Sequence, residues 1–195
     1  MQASIGGTML KLAGALVIVA ASFFITLKAL DYWGQSSTRR PQELGVNVAA
    51  LPHMSLGQIL DFANGQNSSA LISGWSGPEL TGVWSDGNTA SVGFVMTKQA
   101  GTATPKLAIV HAKVFPGTGN GQRVEVRVGA QKLAEFYFKE GLVELEIPLD
   151  RINIGDGVPV ILALNLPDAA SPAALHIGSD HRTLGLFIMS LRLAP

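Results

Sequence analysis

The chain has no cysteine among its 195 residues. Disulfides, thiolate metal sites and a cysteine nucleophile are therefore excluded. Charge is also scarce: 14 % of residues are Asp, Glu, Lys or Arg, where a typical soluble domain has about 25 %. Lys+Arg and Asp+Glu each number 14, so the net charge is zero. No field is available to attract a nucleic acid, which removes that class of partner. Only four histidines occur, His53, His111, His176 and His181, and none forms an HxxxH or HxH pair. Neither a metal site nor a cofactor is expected. Nucleophile-elbow, Walker, GxGxxG and HExxH motifs are missing as well, and catalysis is not expected.

Long apolar runs are confined to the N-terminus. Residues 9–30 read MLKLAGALVIVAASFFITLKAL, with sixteen uncharged residues between Lys11 and Lys28. At about 1.5 Å per residue these fall short of a roughly 30 Å hydrocarbon core. Snorkelling lysines extend the span to Met9–Leu30. Tyr32 and Trp33 follow where an aromatic belt would lie. A signal peptide cleaved near Ala20-Ala21-Ser22 is the competing reading, but FFITL continues the apolar run past that point. The expectation is an uncleaved transmembrane helix within residues 1–33, a polar tether over 34–45 and a β-domain over 46–195. The positive-inside count, Lys11 and the α-amine against Lys28, Arg39 and Arg40, tilts weakly toward a cytoplasmic body.

Beyond the tether the period is two. In QRVEVRVG, Val124, Val126 and Val128 alternate with Arg123, Glu125 and Arg127. LVELEIP repeats this with Val143, Leu145 and Ile147 against Glu144 and Glu146. KLAIVHAKVF, VPVILALNL and TLGLFIMSLRL are further strand-length runs. The last two are apolar at nearly every position, as central strands covered on both faces would be. PGTGNGQ, GDG and DAASP separate the runs, and PGTGNGQ reads as a hairpin loop. SLGQILDFANG reads two ways: Ser55 with Gln58 forms a capping box for one helical turn, or alternatively Ile59–Phe62 begins the first strand. Eight to ten short strands at this spacing predict an all-β antiparallel sandwich, jelly-roll-like in type.

Trp75, Glu79, Trp84 and Asp86 crowd into GWSGPELTGVWSDG, Gly74 to Gly87. Asp180 and Arg182 lie in GSDHRTLG. These six are the candidate site, and two readings of them stand open. Tryptophan faces stack on pyranose rings while carboxylates and Arg bind hydroxyls, which makes a glycan site. Alternatively the tryptophans are core, and Arg182 pairs with Glu79 or Asp180 to lock the last strand to the first loop. If that pair is buried, removing Arg182 should cost roughly 3–5 kcal/mol.

The two stretches together resemble a bacterial envelope β-sandwich domain of unknown function. That domain is found attached to membrane phosphoglycerol transferases and membrane glycosyltransferases. Its first motif maps to Gly74, Trp75, Glu79, Trp84 and Gly87, and its second to Ser171, Pro172, Asp180, Arg182, Leu184 and Gly185. The resemblance spans roughly Ile59 to Leu193. It implies a non-catalytic accessory module on the outer side of the inner membrane, near glycan synthesis or modification. On that ground the body is expected in the periplasm, against the charge count. The implied partners are the membrane, a glycan and a membrane protein. A structural docking subunit of a membrane complex is the alternative, and the small residues Ala13, Gly14, Ala15, Ala20, Ala21 and Ser22 would suit helix–helix contact.

Overall fold

A computed structural model describes residues 46–117 and 119–195. The expected anchor over 9–30 and the tether over 34–45 lie outside the described residues. Among the described residues no helix is long and apolar enough to cross a membrane.

Among the described residues eleven strands form two sheets. They are β1 (His53–Met54), β2 (Ile59–Asp61), β3 (Leu71–Ser73), β4 (Val83–Trp84), β5 (Thr89–Met96) and β6 (Leu107–Val114), followed by β7 (Gln122–Val128), β8 (Gln131–Phe138), β9 (Gly141–Pro148), β10 (Pro159–Asn165) and β11 (Leu186–Ala194). One sheet runs β1-β5-β10-β7-β8, with β3 also on β5, and the other runs β2-β11-β6-β9, with β4 also on β11. Four antiparallel pairs are nested in sequence: β4 with β11, β5 with β10, β6 with β9, and β7 with β8. This is one long hairpin rolled up, and the chain changes sheet at every step except the inner β7–β8 turn. The result is the jelly-roll order. Every pair is antiparallel except β1 with β5, which is parallel.

The alternation read from the sequence fixes which face each strand buries. Val124 and Val126 of β7 and Leu145 and Ile147 of β9 are fully buried, while Arg123, Glu144 and Glu146 are exposed. They meet Phe62, Phe94, Leu162, Leu164, Leu186 and Ile188 between the sheets. At about 25 cal/mol per Å² of apolar surface, this layer is the main stabilising term of the fold.

Three expectations change. PGTGNGQ does not close a hairpin: β6 pairs with β11 and β9, whereas β7 pairs with β10 and β8 in the other sheet. The stretch is a crossover, because a glycine-rich turn reverses the chain equally well within a sheet or between two. VPVILALNL is covered on one face only: Val160, Leu162 and Leu164 are buried, while Ala163 and Asn165 are exposed. Small apolar residues such as Ala163 stand on a solvated face at little cost, so composition overstated the burial. In SLGQILDFANG both signals are used. The Ser55 amide and hydroxyl donate to the Gln58 side-chain carbonyl at 2.7 and 3.2 Å, but they cap a turn, and Ile59 opens β2.

Candidate functional site

The two motifs meet because β4 and β11 form the outermost of the nested pairs. Trp84 faces Phe187 and Val83 faces Ile188. Gly74 permits the approach: its φ is +74°, and a Cβ there would stand 2.0 Å from the Thr89 carbonyl oxygen. Ser85 joins the motifs most deeply. Its buried hydroxyl oxygen accepts from the Gly185 and Leu186 amides at 3.1 and 3.0 Å, and its own amide donates to the Leu186 carbonyl.

The two tryptophans part company. Trp75 packs against the core, and its Nε1 donates to the Ser91 carbonyl at 2.7 Å. Trp84 stands on the outer face of the five-stranded sheet. Its ring lies 5.0 Å from that of Phe187, tilted by 53°, and meets Phe115 edge-on at 6.3 Å. Core packing therefore accounts for Trp75 but not for Trp84.

Register carries the row onward. Phe187 pairs with Lys113 of β6, and Lys113 with Leu142 of β9. Trp84, Phe187, Lys113 and Leu142 thus form one line across four strands, about 14 Å long at roughly 4.8 Å per strand spacing. Met189, the extra residue of a bulge in β11, Glu79 and Thr81 complete the lining of an open groove of about 280 Å³.

Arg182 stands beside this groove. Its guanidinium donates to both carboxylate oxygens of Asp180, the shorter contact being 2.6 Å from Nη2. Nη1 donates to the Ser76 hydroxyl at 3.0 Å and to Glu79 Oε1 at 3.3 Å. Asp180 Oδ1 also accepts from the Arg182 amide at 2.9 Å. An aspartate that accepts the amide two residues on makes an Asx-turn, which is why the Asp-x-Arg spacing closes on itself. The Arg182 side chain, and then its backbone amide, hold the Asp180 carboxyl below its ordinary range. Arg182 is held above its own ordinary value, chiefly by Asp180 and less by Glu79. About a third of each side chain of this pair is exposed, so the conditional cost reckoned for a buried pair does not apply.

Asp86 has a separate task. Its carboxylate accepts from the Thr183 amide at 2.9 Å, and its own amide donates to the Gly74 carbonyl. Of the six candidates, then, Glu79, Asp180 and Arg182 form one cluster with Ser76. Trp84 shares the groove with Glu79, Asp86 ties the backbone next door, and Trp75 faces inward. Sequence reasoning did not find Phe187, Lys113 or Ser85. Phe187 and Lys113 sit in runs that read as ordinary strands, and only the register between strands aligns them with Trp84.

Elsewhere a hollow of about 170 Å³ is lined by Met96, Thr102, Pro105, Ile154 and Asp156. It has no aromatic ring, and Asp156 there accepts from the Lys98 amide at 2.8 Å. Among the described residues no group of three His, Asp or Glu could hold a metal ion.

No family model matches the chain, and no curated protein matches it. Solved structures similar to it include two carbohydrate-binding modules. One is the CBM36-1 domain of a multidomain xylanase from the hindgut metagenome of Trinervitermes trinervoides, 14 % identical, covering 71 % of this chain and 96 % of that chain with a TM-score of 0.38. The other is the carbohydrate-binding module CBM36 in complex with calcium and xylotriose, 18 % identical, covering 61 % and 84 % with a TM-score of 0.34. At these scores no ligand, cation or residue role is carried across.

Proposed function

We propose that the chain is a non-catalytic, membrane-anchored module of the bacterial envelope that binds a glycan along the outer face of its five-stranded sheet. The observation that carries this reading is the placement of Trp84 in an open groove with Phe187 beside it and Glu79 and Lys113 at its sides. Aromatic faces take the apolar faces of sugar rings, and carboxylate and ammonium groups take hydroxyls. An open groove across four strands suits a chain better than a single small molecule. Arg182, with Asp180 and Ser76 behind it, orients Glu79 at the rim.

The apolar run Met9–Leu30 with Tyr32 and Trp33 behind it supports an uncleaved anchor. The two-motif resemblance supports a periplasmic body working beside a glycan-handling membrane enzyme. Edman sequencing of the purified protein tests the anchor, and a start near Phe23 would refute it. Glycan binding is tested by titrating the detergent-solubilised full chain against a panel of oligosaccharides. Trp84→Ala should abolish whatever binding is found while the far-UV circular dichroism stays unchanged. Binding undiminished in Trp84→Ala would remove the groove from the reading.

A second reading, a docking subunit of a membrane complex, is favoured by Leu80 and Leu142. Each is 75 % exposed, Leu142 within the groove and Leu80 next to Glu79. Exposed apolar residues rimmed by polar ones mark protein contacts as well. Leu80→Asp with Leu142→Asp should then release a co-purifying membrane protein while Trp84→Ala does not.

A further inference from the structure

The groove has two charged groups, and they are not equivalent. Glu79 accepts from Arg182 at 3.3 Å, so a neighbouring cation already offsets its charge. Lys113 is exposed and has no ion-pair partner among the described residues. Its cross-strand neighbours are Phe187 and Leu142, both apolar. The nearest carboxylate along β9 in the same face is Glu144, which is occupied by His111 Nε2 at 3.1 Å and by Arg192 at 3.9 Å. An ammonium thus stands uncompensated in the middle of an apolar floor. Bare positive charge set against aromatic and aliphatic surface adds nothing to folding, and it discriminates against cationic and in favour of anionic ligands.

We infer that the groove takes an acidic glycan, one of its anionic substituents resting on the Lys113 ammonium while another ring of the same chain lies against Trp84. The inference builds on the glycan reading above and adds the chemical class. Trp84 and Lys113 are two strand spacings apart, about 10 Å. The stacking ring and the charged ring are therefore different residues of one extended chain. The anion can be a uronate carboxylate or a sulfate or phosphate ester, since a lysine meets all of them as a point charge.

The test uses the full chain in a non-ionic detergent and three tetrasaccharides of one backbone: tetragalacturonate, its carboxyl-reduced neutral counterpart, and that neutral chain bearing sulfate esters. Isothermal titration at low salt should give about two- to tenfold tighter binding of one or both anionic chains than of the neutral one, since charge-assisted hydrogen bonds are about twice as strong as neutral ones. Which anionic chain wins identifies the substituent. Lys113→Gln should erase the difference and Lys113→Arg should retain most of it, both with unchanged melting temperature. Raising the salt should narrow it. Equal affinity for charged and neutral chains, with both lost in Trp84→Ala, would overturn the acidic preference and leave the glycan reading standing. A difference that survives Lys113→Gln would overturn the role of Lys113. Failure of all three chains to bind a protein that melts cooperatively and that binds a neutral member of the wider oligosaccharide panel would overturn the inference alone, and failure of the whole panel, these chains included, would overturn the glycan reading with it.

Discussion

Trp84 and Phe187 face one another across the outermost strand pair, their ring centroids 5.0 Å apart, on the outer surface of the five-stranded sheet. Trp75, nine residues earlier, packs against the core with its indole nitrogen bonded to the Ser91 carbonyl. The two tryptophans of one short motif should thus respond in opposite ways to truncation. Trp75→Ala removes core packing and leaves a partly buried carbonyl unpaired, and should cost roughly 3–5 kcal/mol. Trp84→Ala removes two surface ring contacts, each worth about 0.5–1.5 kcal/mol beyond area burial, and should cost less than Trp75→Ala. Urea denaturation of the two variants checks this, and equal losses would contradict the separation.

Ser85 holds the motifs together more firmly than any charge. Its hydroxyl is the acceptor for two buried backbone amides, those of Gly185 and Leu186. Ser85→Ala leaves both without that partner, at about 1–3 kcal/mol for each group left unsatisfied. A melting temperature lowered by several degrees is expected. A variant as stable as the parent would mean that the amides find other acceptors.

Gly74 should tolerate nothing larger. Alanine there would have to adopt φ +74° with its Cβ 2.0 Å from a carbonyl oxygen on the adjacent strand β5. The backbone of β5 would have to move, and β5 carries β10, β3 and β1. Gly74→Ala should fail to accumulate in soluble or detergent-extracted form at 37 °C. Gly129→Ala, at φ +56° in the left-handed region that other residues can reach and with no atom within 4 Å of the added Cβ, should be much milder. Comparable behaviour of the two would refute the steric account.

Arg182 should matter modestly for stability and in a pH-dependent way. The pair is partly exposed, so Arg182→Ala should lower the melting temperature by on the order of 2–4 °C. Asp180 has its folded pKa depressed by Arg182. Its contribution is therefore complete above the unfolded pKa, about 3.9, and is lost as pH falls through the lower folded value. The gap between parent and Arg182→Ala should stay constant from about pH 8 to 5 and close below about pH 4. Asp168 is also depressed, foremost by the Arg123 side chain, which meets it through two N–H bonds at 2.8 and 3.0 Å. Its share of acid lability should persist in Arg182→Ala. Thermal melts of both proteins across that range decide the matter, and a gap that widens in acid would reverse the sign.

The sequence by itself determined the period-two alternation, and with it the all-β class and the buried face of β7 and β9. Alternation is local: successive side chains on a strand point to opposite sides whatever the strand pairs with. It also marked the turns, the apolar N-terminal run and the two motifs whose residues crowd together. Pairing was not local, and only the tertiary structure decided it. Whether PGTGNGQ turns within a sheet or between sheets depends on which strand β7 finds, and glycine serves both. Trp75 and Trp84 look alike in the chain, yet one is drawn inward beside β5 and the other is held outward by the register of β4 on β11. The groove exists only because Phe187, Lys113 and Leu142, drawn from three different strands, fall into line with Trp84. A one-residue slip in any of those pairings would turn that strand's side chain to the other face, and nothing in the local sequence records the alignment.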